Sequence, residues 1–185
     1  MVDRSEAGAA ASPPPRVLVA YVRAADRFAE LCGLLFCWLA LPLVAALTYE
    51  VIARYAFHAP TLWAYDVTYM IYGTHFMLGA AYALYRGAHI RTDIFYQNWS
   101  FRTRGLVDAT LYLFFFFPGM ILFFWMGLQE ALQSWDIREV SDASPWRPPI
   151  YPFKSVIPLA AILLLVQGIS EFLKSAWAAV HGRPL

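Results

Sequence analysis

The sequence predicts an all-α integral membrane protein: four transmembrane helices, both termini in the cytoplasm, and an amphipathic interfacial helix before the first span. Three observations predict it. The 185 residues are 60% hydrophobic and only 15% charged, where a soluble domain carries about a quarter charged residues. Four long stretches contain no Asp, Glu, Lys or Arg. The Lys and Arg residues between those stretches fall unevenly on the two sides.

Residues 1–15, MVDRSEAGAAASPPP, read as a disordered tail. Acidic residues interrupt their basic start, no apolar signal-peptide core follows, and small residues and prolines cannot build a core. Residues 16–30 read as the interfacial helix. Arg16, Arg23 and Arg27 lie within about 40° of one another at about 100° per residue, and Val17, Leu18, Tyr21, Val22 and Phe28 cover the other side.

The charge-free stretches Leu31–Tyr49, Val67–Tyr85, Ala109–Gln129 and Ser155–Ser170 place spans at 31–52, 66–86, 108–131 and 153–171, a transmembrane domain of residues 31–171. At a rise of about 1.5 Å per residue, the first three stretches cover roughly 28 to 32 Å, close to the hydrocarbon thickness of a bilayer. The fourth gains length from Tyr151, Phe153 and a snorkelling Lys154. Residues 172–185 read as a cytoplasmic tail. Ten Lys and Arg residues lie in the two terminal regions and the second connection, against four in the first and third connections. That bias puts the termini inside. Pro42 and Pro118 fall within the first and third spans and predict kinks there.

The residues that could carry chemistry are few. A net charge of +1 gives no general attraction to nucleic acid. Cys32 and Cys37 point apart on a helix and read as packing residues. Glu50, Asp66, Arg86, Asp108, Glu130, Lys154 and Glu171 stand at span ends, leaving His75 as the titratable group at mid-membrane. One histidine cannot provide the facing pair a membrane haem uses. No CxxC pair, Gly-rich phosphate loop or HExxH signature is present. No catalytic residue, metal site or cofactor is expected, and the chain does not read as an enzyme.

Two features stand out instead. Thr68, Tyr72, His75, Gly79, Tyr82 and Arg86 follow one another at steps of three or four on the second span, forming a seam of small and hydroxyl-bearing residues. The seam serves either internal packing or the docking of another membrane protein. Beyond it, His89, Arg91, Asp93, Trp99, Arg102 and Arg104 form a polar cytoplasmic elbow suited to lipid phosphates.

The residues at the elbow carry a family resemblance. GAAYALYRGAHIRTDIFY, residues 79–96, resembles the segment after the second helix in the DctQ-like small membrane subunit of tripartite ATP-independent periplasmic (TRAP) transporters. YEVIARYAFHAPTLWAYD resembles that family's first connection, with Asp66 where Glu is expected. SPWRPPIYPFKSVIPLAAILLLVQGISE resembles its Pro-rich outer loop and fourth helix. The resemblance covers residues 49–171.

It implies a non-catalytic scaffold in a bacterial inner membrane. The expected partners are a large membrane subunit that carries the substrate and sodium sites, a periplasmic binding protein that delivers an organic acid, and membrane phospholipids. Arg54, Trp63, Asp66, Arg138, Trp146, Arg147 and Tyr151 would then face the periplasm, either docking the binding protein or anchoring the helices. Two other classes fit the residues less well. A haem- or quinone-binding membrane anchor of a respiratory-type complex would be expected to hold paired histidines in its spans, and an autonomous small transporter an embedded acid; a structural subunit of another inner-membrane complex is separated from this reading by the resemblance alone.

Overall fold

The structure, a computed structural model, describes residues 13–87 and 99–185. Among the described residues there is no strand, only one isolated bridge between Val140 and Pro149. The elements are α1 (Arg16–Cys37), α2 (Ala40–Ala56), α3 (Ala64–Tyr85), α4 (Phe101–Leu111), a π-helical turn (Tyr112–Phe116), α5 (Phe117–Asp136), the short α6 (Tyr151–Lys154) and α7 (Val156–His181).

Both prolines act locally. Pro42 has no N–H to offer the carbonyl of Trp38. That carbonyl accepts from Leu41 N instead, at 3.2 Å, and Leu39 N turns back to Phe36 O at 3.1 Å. The result is the break at Trp38–Leu39 that separates α1 from α2. Pro118 likewise withholds a donor from Phe114, and the π-turn just before it absorbs the mismatch, with Phe117 N bonded to Tyr112 O.

Three stretches are long and apolar enough to cross a membrane among the described residues: Arg16–Ala56, Phe101–Asp136 and Tyr151–His181, of 41, 36 and 31 residues. At about 1.5 Å per residue they run about 62, 54 and 46 Å, well beyond a hydrocarbon layer of about 30 Å. The 22-residue α3 has the length, about 33 Å, but its tyrosines, threonines and histidine hold its apolarity below the other three.

Two sequence boundaries vanish into longer helices. No break occurs at residue 30, because α1 runs unbroken from Arg16 to Cys37. Tyr21 and Asp26, five positions apart, reach the same two turns of α7, at Val166 and at Gln167 and Ser170. The first half of α1 is thereby tied to the middle of α7. At the other end, α7 continues to His181, where Gly182 ends it at φ +67°, a conformation that suits glycine.

α7 lies at the centre, packed against α1, α3, α4 and α5. Its buried Ala160, Ala161, Gly168 and Ser170 let those neighbours approach closely. Leu78 and Ala81 of α3 meet Ala160 and Leu163 in the main core, with Cys32 and Phe36 of α1 against them. Gly168 lies under the ring of Phe116, which the π-turn carries to it. The closest approach is at Gly105 of α4, where a Cβ would sit 2.5 Å from Ala179 N and 2.6 Å from Ser175 O. Both are backbone atoms and cannot swing aside. Gly105→Val should therefore lower the melting temperature in detergent, at a cost of about 1–3 kcal/mol. Gly119→Val, where nothing lies within 4 Å, is its control, and equal melting of the two would refute the close contact.

Candidate interaction surfaces

The outer loop between α5 and α6 is built as a closed hairpin. Ser141 N donates to Pro148 O at 2.8 Å and Ile150 N to Glu139 O at 3.1 Å. At its base, Lys154 donates to Glu130 and Glu139, each at 2.6 Å. The Lys154 ammonium holds the Glu139 carboxyl below the usual carboxylate range. A depressed pKa means the pair is intact at neutral pH and is lost only as pH falls through that lowered value. Trp135 donates through Nε1 to Ser155 at 2.8 Å and packs on Tyr151, their rings 4.5 Å apart.

Asp66 is what fastens this loop to α3. It is 2% exposed, so it does not lie on the solvent-facing docking surface expected for it. Its Oδ1 accepts from Ser141 Oγ at 2.5 Å, and its Oδ2 accepts from Ser144 Oγ. Each serine oxygen in turn accepts a backbone N–H, from Ala143 at 3.2 Å and Trp146 at 3.3 Å. Asp66 also sits in the first turn of α3, where the helix dipole favours a negative charge. One carboxylate thus sets the conformation of residues 141–146.

The other outer residues do reach the surface. Trp146 is about half exposed at the loop tip, and Arg147, beside it, pairs with Asp142 at 2.8 Å. Arg138 and Arg147 adopt positive φ, +49° and +46°, a conformation strained for a side chain other than glycine. In the first connection, Arg54 pairs with Glu50, whose other oxygen accepts from Thr61 N at 3.0 Å. Trp63 stacks on Tyr49 with rings 5.8 Å apart.

The seam on α3 divides between inward and outward roles. His75 Nδ1 lies 2.9 Å from Phe36 O, a carbonyl at the α1–α2 break. A carbonyl can only accept, so Nδ1 carries the proton. Tyr82 lays its ring over Gly33 of α1. Thr68 returns its hydroxyl to its own helix, at Ala64 O, 2.7 Å away. Tyr72 and Arg86 face outward, Tyr72 at 52% exposure, and nothing occupies the space above Gly79 within 4 Å.

At the opposite end of the bundle, Arg104 Nε donates to Trp99 O at 3.0 Å, and Arg102 lies against Gly182 at the end of α7. His89, Arg91 and Asp93 lie outside the described residues. Sequence reading missed a polar network nearby. Asp26 Oδ1 accepts from Gln167 Nε2 at 2.9 Å, Ser170 Oγ at 3.0 Å and Lys174 Nζ at 3.0 Å, while Lys174 also bonds Glu171 at 2.8 Å. Gln167 is almost wholly buried. Asp26 on the apolar side of an arginine-rich helix was the available signal. Its partners lie more than 140 positions away.

Comparison with protein families decides the class of this bundle. Residues 43–177 match the family model of the tripartite ATP-independent periplasmic transporters, DctQ component. The chain belongs to the DctQ family. The match runs from α2 nearly to the end of α7, so it includes the outer loop, the α3 seam and most of the polar network. No curated protein and no solved structure matches. As a DctQ component, the chain is a small membrane subunit of a TRAP transporter. Replacing Asp66 with Ala in this DctQ subunit strips two serine hydroxyls of their acceptor, at a cost of about 1–3 kcal/mol. Limited proteolysis within residues 138–150 should speed up severalfold, and unchanged cleavage would show that the loop holds without Asp66.

Proposed function

We propose that this chain is the static, non-catalytic scaffold of a sodium-coupled TRAP transporter in a bacterial inner membrane. In this reading α1–α2, α3, the α4–α5 helix and α7 cross the bilayer as four spans with both termini inside. The first half of α1 lies in the cytoplasmic interface, a placement supported by its arginine-bearing face and the apolar side opposite it. The large membrane subunit carries the substrate and ion sites and moves against this frame, and a periplasmic binding protein delivers an organic acid. The family match over residues 43–177 carries the reading.

Each candidate surface has a place in it. The α3 seam of Thr68, Tyr72, His75, Gly79, Tyr82 and Arg86 serves the large subunit. The elbow of His89, Arg91, Asp93, Trp99, Arg102 and Arg104 meets lipid phosphates at the inner boundary. Arg54, Trp63, Arg138, Trp146, Arg147 and Tyr151 belong to the outer face that receives the binding protein. Asp66 serves that face from beneath, by fixing the loop. A hairpin already tied by its own hydrogen bonds loses little freedom on docking, which favours a contact role over simple anchoring.

Extraction of the chain from its native membrane in mild detergent tests the core of this. A larger multi-span protein in equal amount is the expected companion, and a lone homodimer or a complex absorbing in the haem region would overturn the reading. For the outer face, Arg147→Glu should raise the binding-protein concentration needed for half-maximal uptake by about tenfold, as for a lost contact of about 1.4 kcal/mol. Complex yield should not change. Uptake kinetics equal to wild type would return Arg147 to a purely local role.

A further inference from the structure

A furrow runs along the outside of the bundle between α1–α2 and α3. Its inner half, about 440 Å³, has Gly33 and Cys37 on one wall and His75 and Gly79 on the other. Its outer half, about 290 Å³, sets Leu43 and Leu47 against Tyr69 and Tyr72. From Gly33 to Leu47 the α1–α2 wall is about 21 Å long, most of a hydrocarbon layer.

One feature makes this furrow unlike a lipid-facing surface: polarity at depth. His75 Nδ1 is committed to Phe36 O, which leaves Nε2 with no hydrogen-bond partner among the described residues. The Tyr72 hydroxyl, one turn along, also has none among them. An acyl chain supplies neither donor nor acceptor, so both atoms lose hydrogen bonding if lipid fills the furrow. Gly79 leaves the floor beside these atoms bare, as Gly119 does on α5. The outward side of α5 supplies the contrast: Ile121, Leu122 and Met126 are exposed there and ask nothing of a hydrocarbon neighbour.

Resting on the TRAP reading above, we infer that this furrow seats one membrane-spanning helix of the large subunit. That helix presents a hydroxyl or amide side chain at the depth of Tyr72 and His75 and a bulky apolar side chain over Gly79. The outward side of α5 faces lipid. A helix fits the furrow's length, and a protein side chain is the one hydrogen-bonding partner available at that depth in a bilayer. The placement also accounts for the low apolarity of α3, whose tyrosines line a protein contact.

Two glycines make the test clean, because a Cβ at either meets no atom within 4 Å in this chain. Gly79→Leu blocks the furrow and Gly119→Leu enlarges the outward side of α5, and the melting curve of each purified subunit reports that it still folds. Expected in mild-detergent purification is at least a tenfold loss of the co-purifying large subunit with Gly79→Leu and none with Gly119→Leu. Tyr72→Phe, which keeps the ring and removes the hydroxyl, should weaken association a few-fold. Equal recovery with Gly79→Leu, or loss with Gly119→Leu alone, overturns the furrow while leaving the TRAP reading standing. Undiminished association of Tyr72→Phe overturns the hydrogen-bonded seat. A wild-type subunit that brings down no large membrane protein overturns both.

Discussion

A polar atom inside a bilayer has no water to fall back on, and that constraint organises this bundle. Each backbone irregularity has a supplier close by. The break that Pro42 forces at Trp38–Leu39 is patched by i+3 bonds and by the imidazole of His75, reaching over from α3. The misfit before Pro118 is taken up by a π-turn that carries Phe116 onto Gly168. Where charges gather at the inner end, Asp26 and Glu171 share Lys174, with Gln167 and Ser170 filling further positions. A bundle tied this way has little slack for rearrangement, which suits a frame against which another subunit moves.

The sequence revealed what depends on composition along one helix. Charge-free runs located α1–α2, the α4–α5 helix and α7, and a fourth, whose polar residues are all uncharged, located α3. Both prolines disturb the backbone as expected, four residues or fewer from where they stand. The boundaries drawn at residues 30 and 171, where charges limit the apolar runs, fall inside continuous helices. Lys174 is in α7 and Asp26 in α1, each well inside its helix and paired with the other. Asp66 was misplaced for the same reason: a carboxylate at a span end looks exposed, and only the folded hairpin brings Ser141 and Ser144 over it. Long-range pairing of this kind leaves no local pattern to read.

The outer surface joins opposite qualities. Its base is fixed by Lys154, Trp135 and Asp66, while its tip offers Trp146 and two arginines in left-handed backbone conformations. Strain at the rim is tolerable because the base over-determines the loop. The family match spans both the base and the tip, so the support and what it presents belong to one inherited unit.

α7 also has a bearing on the order in which the molecule can be completed. It follows in the chain every helix it packs against, so a ribosome delivers α1 to α5 into the membrane before their common support exists. The contacts of α1 and α2 with α3 need nothing that comes later. Gly105 of α4, by contrast, has no backbone to rest on until residues 175–179 have been made. The furrow side is therefore finished first, and the interior closes behind it when the final helix slides into place.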